Sequence, residues 1–325
     1  MSAAAADLPL LVRVGRFLRD NPVIPLIGLL LALLALLETM RPGIISPFWA
    51  GNTVRFAIPL AMLAACQVLT MLTGGIDLSA AVVATVAGFV VATVTPILGA
   101  PAAVAIALAA ALLVGFLNGV GVAFARVHPL IMTLGTGLIA TGCLQVYQRY
   151  VIATGSEIPA FLVWLGTGRT AGLPNSLFVF LPFAVVILGL LRFTGFGRLL
   201  FALGSNERAT RLAGVRSWQV LLSLYLLSGL IAGLTGLVYV GMIRAPSLSL
   251  ANPLLLPSVA AAVIGGTSIF GGRGSYAGTI VGALILTVLG TMLTLMQIPE
   301  GARRMFFGLI ILAVTALYVR ITSQR

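Results

Sequence analysis

Groups able to do bond-making chemistry are scarce in this sequence, and the scarcity excludes several functions at once. The 325 residues hold one histidine, His128, two cysteines, Cys66 and Cys143, and seven acids. So few groups cannot assemble a Ser-His-Asp triad, a His-rich metal site or a disulfide framework. Both cysteines fall inside apolar runs, where packing is their simplest role. No G-x-x-x-x-G-K-[ST] phosphate loop occurs, so the chain does not hydrolyse ATP itself. The residues read as no enzyme, with no cofactor and no metal.

Three stretches nevertheless interrupt the apolar text. Gly197 to Arg216, GRLLFALGSNERATRLAGVR, is the one long polar and charged run. Asn206 can cap a helical turn, Glu207 suits the positive end of that helix, and Gly214 is a natural C-terminal stop. Glu207 and Arg211 make an i,i+4 pair in the favourable order. Ala209, Leu212 and Ala213 fall on one side, with Arg208 and Arg211 on another, so one face suits the protein itself and one a partner. The plain alternative is an arginine-rich loop that only fixes membrane orientation.

Thr70 to Ser79, TMLTGGIDLS, ends an apolar run with Thr73, Gly74 and Gly75 and carries Asp77, the only acid between Glu38 and Glu157. A charge at the bilayer centre costs about 2.5–3.5 kcal/mol on insertion scales, which puts Asp77 at a helix end or beside partners. A helix cap shared with Ser79 is the structural reading, and contact with a solute is the functional one. Ala260 to Ser275, AAAVIGGTSIFGGRGS, holds Gly265, Gly266 and Thr267. Its glycines either make a tight turn or bare peptide groups that a path or a neighbouring helix must satisfy. Asn118, beside Gly115, serves helix packing or a solute contact. His128 opens a helix as a cap, and Gln145, Tyr147 and Gln148 offer interfacial anchoring or hydrogen bonds to a sugar.

The elements that must position these residues are membrane helices. The chain is 60% hydrophobic and 8% charged, against about 25% charged in soluble domains. The net charge of +12 is scattered between apolar spans, which points away from nucleic acid. A bilayer core about 30 Å thick needs roughly 20 residues of helix. That length cuts the chain into about ten segments, near 22–39, 53–73, 78–97, 101–125, 129–148, 176–194, 217–243, 253–270, 275–296 and 303–320. The fold class is thus an all-α polytopic transmembrane helical bundle.

Arg13, Arg16 and Arg19 precede the first segment, which lacks a cleavage site and is retained with residues 1–21 in the cytoplasm. The loops near Arg126, Arg192 to Arg216 and Arg273 then also fall inside, with the 321–325 tail. Arg303 and Arg304 fall outside on this count, so they snorkel or one segment does not span. The eighth segment is the weak one, because Pro253 and Pro257 precede it and paired glycines break its far end. Segments two to five and seven to ten run in opposite orientations, which fits an inverted repeat.

The motifs also carry a resemblance. Gly204, Asn206, Ala209, Arg211 and Gly214 resemble the G-x-N-x-x-A-x-R-x-x-G signature of permease subunits of bacterial ribose-type sugar ABC importers. TMLTGGIDLS resembles their L-T-x-G-I-D-L-S element, and AAAVIGGTSIFGGRGS resembles their A-A-V-V-x-G-G-T-S-x-x-G-G-x-G-S element. The resemblance runs from about residue 50 to 320 with the motifs in family order. It implies a coupling helix within 197–216 that docks on a cytoplasmic ATP-binding-cassette ATPase. Thr70 to Ser79 would line or support the translocation path. A periplasmic binding protein would deliver a monosaccharide, and a second permease copy or paralogue would complete the path in the bacterial inner membrane. Many members carry acids where this chain has Leu255 and Pro257, which leaves the solute open: an autoinducer, a nucleoside or a polyol are alternatives. A reading from another class is an ion-coupled secondary transporter, for which Asp77 is nearly the only ionisable group at membrane depth.

Overall fold

The structure is a computed structural model and describes residues 23–151, 155–299 and, from 301 to 309, all but 304 and 307. The basic segment 1–21, Arg304, most of the 303–320 segment and the 321–325 tail lie outside the described residues.

The helices are α1 (Val23–Met40), α2 (Pro47–Leu72), α3 (Ala80–Leu98), α4 (Ala100–Ala123), α5 (Pro129–Val151) and the short α6 (Ala160–Thr167). A two-stranded hairpin of β1 (Arg169–Thr170) and β2 (Leu173–Pro174) leads into α7 (Leu177–Phe193), α8 (Gly195–Ser205), α9 (Glu207–Leu212) and α10 (Ser217–Ile243). A 3₁₀ turn (Asn252–Leu254), α11 (Leu255–Ile264) and α12 (Tyr276–Leu295) follow. Among the described residues, seven helices are long and apolar enough to cross a membrane: α1 to α5, α10 and α12.

That number is lower than the ten segments cut from the sequence, for two physical reasons and one of coverage. The sixth segment, α7, continues into α8 through a 64° bend at Thr194, so the pair is a broken span or a re-entrant loop and is not among the seven. The eighth shrinks to α11, whose 10 residues extend only about 15 Å between Pro253 and the Gly265-Gly266 stop. The tenth lies mostly outside the described residues.

Burial sorts the helices. Over an apolar stretch of 18 residues, 83% of the residues of α2 are buried, against 6% in α1 and 22% in α4 and α5. A helix apolar on every side belongs in a core, and α2 is that core. Ser46 caps its start, accepting a hydrogen bond from the Trp49 amide at 3.1 Å, and Pro47 occupies the first turn where no amide proton is needed.

Beside α2 stands α10, and the two exchange partners. Helix α2 packs on α11 and α12, whereas α10 packs on α3 and α4. Each central helix therefore grips the pair that follows the other one. Helix α5 lies outside α3 and α4, and α1 lies outside α12. Apolar contact gives no net driving force between helices in lipid, so close backbone approach must supply it. At the α4–α10 crossing Gly115 and Gly229 face each other: a Cβ on Gly115 would sit 3.1 Å from the Gly229 Cα, and one on Gly229 would sit 3.0 Å from the Gly115 Cα.

Gly229→Val should therefore push α4 off α10 and lower stability by about 1–3 kcal/mol, the usual cost of overpacking. Thermal unfolding of the detergent-solubilised protein checks this against Gly142→Val, where a Cβ meets nothing within 4 Å. Equal melting of the two variants would show that the crossing tolerates side chains.

Candidate functional site

The three interrupted stretches come together at one end of the bundle. Helix α2 stops at Thr73, whose amide and hydroxyl both bond the Thr70 carbonyl, and the chain turns through Gly74 and Gly75. The α11–α12 connection runs up to this stop: the Gly272 amide donates to the Leu72 carbonyl at 2.9 Å. Gly204, in the last turn of α8, lies directly over that bond, so a Cβ there would run into the Leu72 oxygen and come within 2.6 Å of the Gly272 nitrogen. Gly271, at φ +90°, would place a Cβ 2.8 Å from the Gly204 oxygen and 3.1 Å from the Gly74 nitrogen. Only glycine fits such a backbone-to-backbone contact.

From this anchor the chain turns outward into α9. Asn206 is extended, with φ −162° and ψ 97°, and its Oδ1 accepts from the Ala209 amide at 2.9 Å. This is the cap read from the sequence. Gly214 ends the helix at φ +85°, and the Val215 amide reaches back to the Thr210 carbonyl at 3.3 Å. Thr210 is the buried residue of the helix. Arg208, Ala209, Arg211, Leu212 and Ala213 are exposed, Leu212 at 83%. The apolar side of α9 thus faces away from its own protein.

Glu207 has a partner that the helix spacing did not reveal. Its Oε1 lies 2.6 Å from Arg126 Nη1, at the turn between α4 and α5, and 3.9 Å from Arg211 Nε. Both members of the short pair are partly exposed, at 47% and 41%, so its contribution to stability is within about 1 kcal/mol. It fixes where α9 points more than whether it folds.

The Asp77 stretch is organised differently. Asp77 is 3% exposed and its carboxylate is filled with donors. Oδ1 accepts from the Ser79 amide at 3.0 Å and the Ser79 hydroxyl at 2.6 Å, and Oδ2 accepts from the Ser228 hydroxyl of α10 at 2.6 Å. Asn118 of α4 donates Nδ2 to the Ser79 hydroxyl at 2.8 Å, and its Oδ1 accepts from Thr136 of α5 at 2.5 Å. The Gln67 side chain of α2 bonds both the amide and the carbonyl of Asp77, and Thr133 of α5 bridges the Ile76 carbonyl and the Leu78 amide. Thr70, Gly75 and Ser79 are buried too. One network therefore joins α2, α4, α5 and α10 around the gap before α3.

Gly265, Gly266 and Thr267 finish α11: their amides bond the carbonyls of Ala261, Val263 and Ala262. Gly265 and Thr267 are buried and Gly266 is exposed. Spacing alone missed Gln67, Ser228, Thr133, Thr136 and Arg126. The available signal was a lone polar side chain in the middle of an apolar run, as at Gln67 and Ser228, because a buried acid elsewhere needs donors.

A family model described as branched-chain amino acid transport system / permease component matches residues 50–315. Over 299 residues the chain is 34% identical to the ribose import permease protein RbsC of Escherichia coli strain K12, covering 91% of this chain and 92% of that one. It is 32% identical over 324 residues to the fructose import permease protein FrcC of Rhizobium meliloti, covering 96% and 89%. It is also 32% identical over 260 residues to the galactofuranose transporter permease protein YtfT of Escherichia coli strain K12, covering 79% and 76%. No solved structure matches the chain.

Asp77→Ala strands three buried donors at about 1–3 kcal/mol each, whereas Ser228→Ala takes one donor from a carboxylate oxygen and should cost about 1.5–3 kcal/mol. Detergent unfolding should therefore rank Asp77→Ala well below Ser228→Ala. Small and equal losses would show that the network does not hold the gap together.

Proposed function

The chain belongs to the branched-chain amino acid transport system / permease component family, and on that premise we propose that it forms the membrane path of an ATP-driven importer for a monosaccharide. It is a multi-pass protein of the inner membrane, and its polypeptide carries no phosphate loop, so the energy comes from a partner ATPase. The relatives named for ribose, fructose and galactofuranose support a sugar as the solute. In this reading a periplasmic binding protein delivers that sugar, and a second permease copy or a paralogue completes the path.

The observation that carries the proposal is the contact of Gly204 with Leu72 and Gly272. It supports placing the end with Arg126, Arg208, Arg211 and Arg273 in the cytoplasm and assigning α9 as the helix that meets the ATPase. With backbone meeting backbone at Gly204, a displacement of α8–α9 acts on the end of α2 and on the α11–α12 connection at once. Arg126, paired with Glu207, carries the same displacement to the α4–α5 turn. Thr70 to Ser79 and Asn118 then support the path from behind rather than line it, because they are engaged with one another.

The exchange of partners between α2 and α10 supports an inverted repeat in which α2, α3 and α4 correspond to α10, α11 and α12. An ion-coupled carrier is disfavoured by Asp77 itself: its carboxylate already accepts from Ser79 and Ser228 and sits in a closed network. A coupling acid must instead be free to gain and lose an ion.

The permease, reconstituted with its ATPase and binding protein, should import at least one of radiolabelled ribose, fructose or galactofuranose in an ATP-dependent way. Gly214→Val should leave membrane insertion intact while reducing ATPase binding or the hydrolysis stimulated by loaded binding protein. Unaltered assembly, stimulation and uptake would mean that α9 serves orientation alone. In intact cells, Ser205→Cys should resist a membrane-impermeant maleimide, and labelling there would invert the topology.

A further inference from the structure

At the end of the bundle opposite Gly204 lies a cavity of about 620 Å³, within the ~300–1,000 Å³ range of small-molecule sites. It opens between the first half of α2, the second half of α12 and the stretch around Pro253 that leads into α11. Its walls differ in chemistry. Trp49 and Phe56 from α2 and Tyr239 from α10 supply aromatic surface. Thr287 and Thr291 supply hydroxyls from α12, one turn apart, with Gly290 between them leaving room.

The polar groups on these walls have defined hydrogen-bonding roles. Thr287 donates its proton to the Ala283 carbonyl at 2.8 Å and Thr291 donates to the Thr287 carbonyl at 3.1 Å. Each hydroxyl thereby keeps lone pairs that accept from the cavity. Asn52 is the complement. Its Oδ1 accepts from Arg169 Nη2 at 2.9 Å, which sets the amide orientation and leaves Nδ2 as a donor. Among the described residues no lining residue is acidic, and the wall also carries Arg303, whose Nη1 donates to Thr294 Oγ1 at 3.0 Å. The ammonium of an amino acid would lose water there without gaining a counter-charge. A neutral polyol loses nothing of the kind: its hydroxyls donate to the threonines, one oxygen accepts from Asn52, and its C–H face lies on the aromatic rings.

We infer that this cavity is the outer vestibule of the solute path, and that Thr287, Thr291 and Asn52 are specificity-determining contacts for the hydroxyls of a neutral sugar. The inference rests on the importer reading above and adds the residues that select the solute. A path must release what it binds, so these contacts are neutral and individually modest. Removing one acceptor should lower uptake about three- to tenfold, the worth of a single neutral hydrogen bond.

The test uses the full complex of permease, ATPase and binding protein in proteoliposomes. Thr287→Val and Thr291→Val keep shape and remove the hydroxyl, and Thr287→Ser restores it. Each valine variant should lower uptake of the imported sugar three- to tenfold while loaded binding protein still stimulates hydrolysis as in the wild type. The serine variant should transport normally. Independently of any sugar, Thr291→Cys in a Cys143→Ser background should react with an impermeant maleimide from outside. Wild-type uptake by both valine variants, or a Thr291→Cys that no outside reagent reaches, would overturn the inference. A wild-type complex that imports none of the three sugars would instead overturn the importer reading, and maleimide labelling would still report whether the cavity opens outward.

Discussion

A peptide group without a partner costs several kcal/mol in hydrocarbon, and this chain leaves helical structure at buried positions in Thr73–Ser79 and in Gly265–Ser275. Most of the architecture is a response to that constraint. The first gap is closed by side chains: Gln67, Thr133 and Asp77 take up the amides and carbonyls that α2 and α3 leave free. The second is closed largely by backbone, through the turn that ends α11 and the Gly272 bond to Leu72. Asp77 is expensive only as an isolated charge. As the acceptor for three donors, one of them the Ser79 amide, it is no longer isolated.

The two solutions divide the labour between rigidity and motion. A closed side-chain network resists displacement, because moving any member strands a buried donor. Glycine contacts resist only compression, since they hold the backbones apart at one distance and leave sliding free. The segment proposed to move with a partner, α8–α9, is seated on the second kind. Its short side-chain link, Arg126 to Glu207, is partly exposed and weak enough to re-form in a new geometry.

Local signals made much of this legible. The Asn206 cap, the Gly214 stop and the weakness of the eighth segment are short-range properties, and they appear where the sequence places them. The segment count was less legible, because apolar length alone does not distinguish a straight span from one bent at Thr194. The glycine motifs announced close approach but not to what. That Gly204 meets Leu72 and Gly272, or that Glu207 prefers Arg126 over Arg211, depends on residues more than 60 positions apart meeting in space. The i,i+4 rule identified a permissible pair and was outcompeted by a shorter bond.

Under the proposed inverted repeat, the outer cavity has a counterpart. The start of α2, the end of α12 and the stretch before α11 correspond to the start of α10, the end of α4 and the stretch before α3. Leu221, Val122 and Thr73, from those three places, line a second cavity of about 480 Å³ at the Gly204 end. The two differ in what covers them. The inner one is also lined by Leu203 to Glu207 and by Arg126, so the α8–α9 junction and its ion pair form part of its wall. Among the described residues, the outer one is lined by no such segment, only by Arg303 from beyond α12. A partner that displaces α9 therefore changes the shape of the inner cavity directly, and the outer cavity only through α2 and the α11–α12 connection. In the proposed mechanism this asymmetry gives ATP-driven motion a defined point of entry at one end of the proposed repeat.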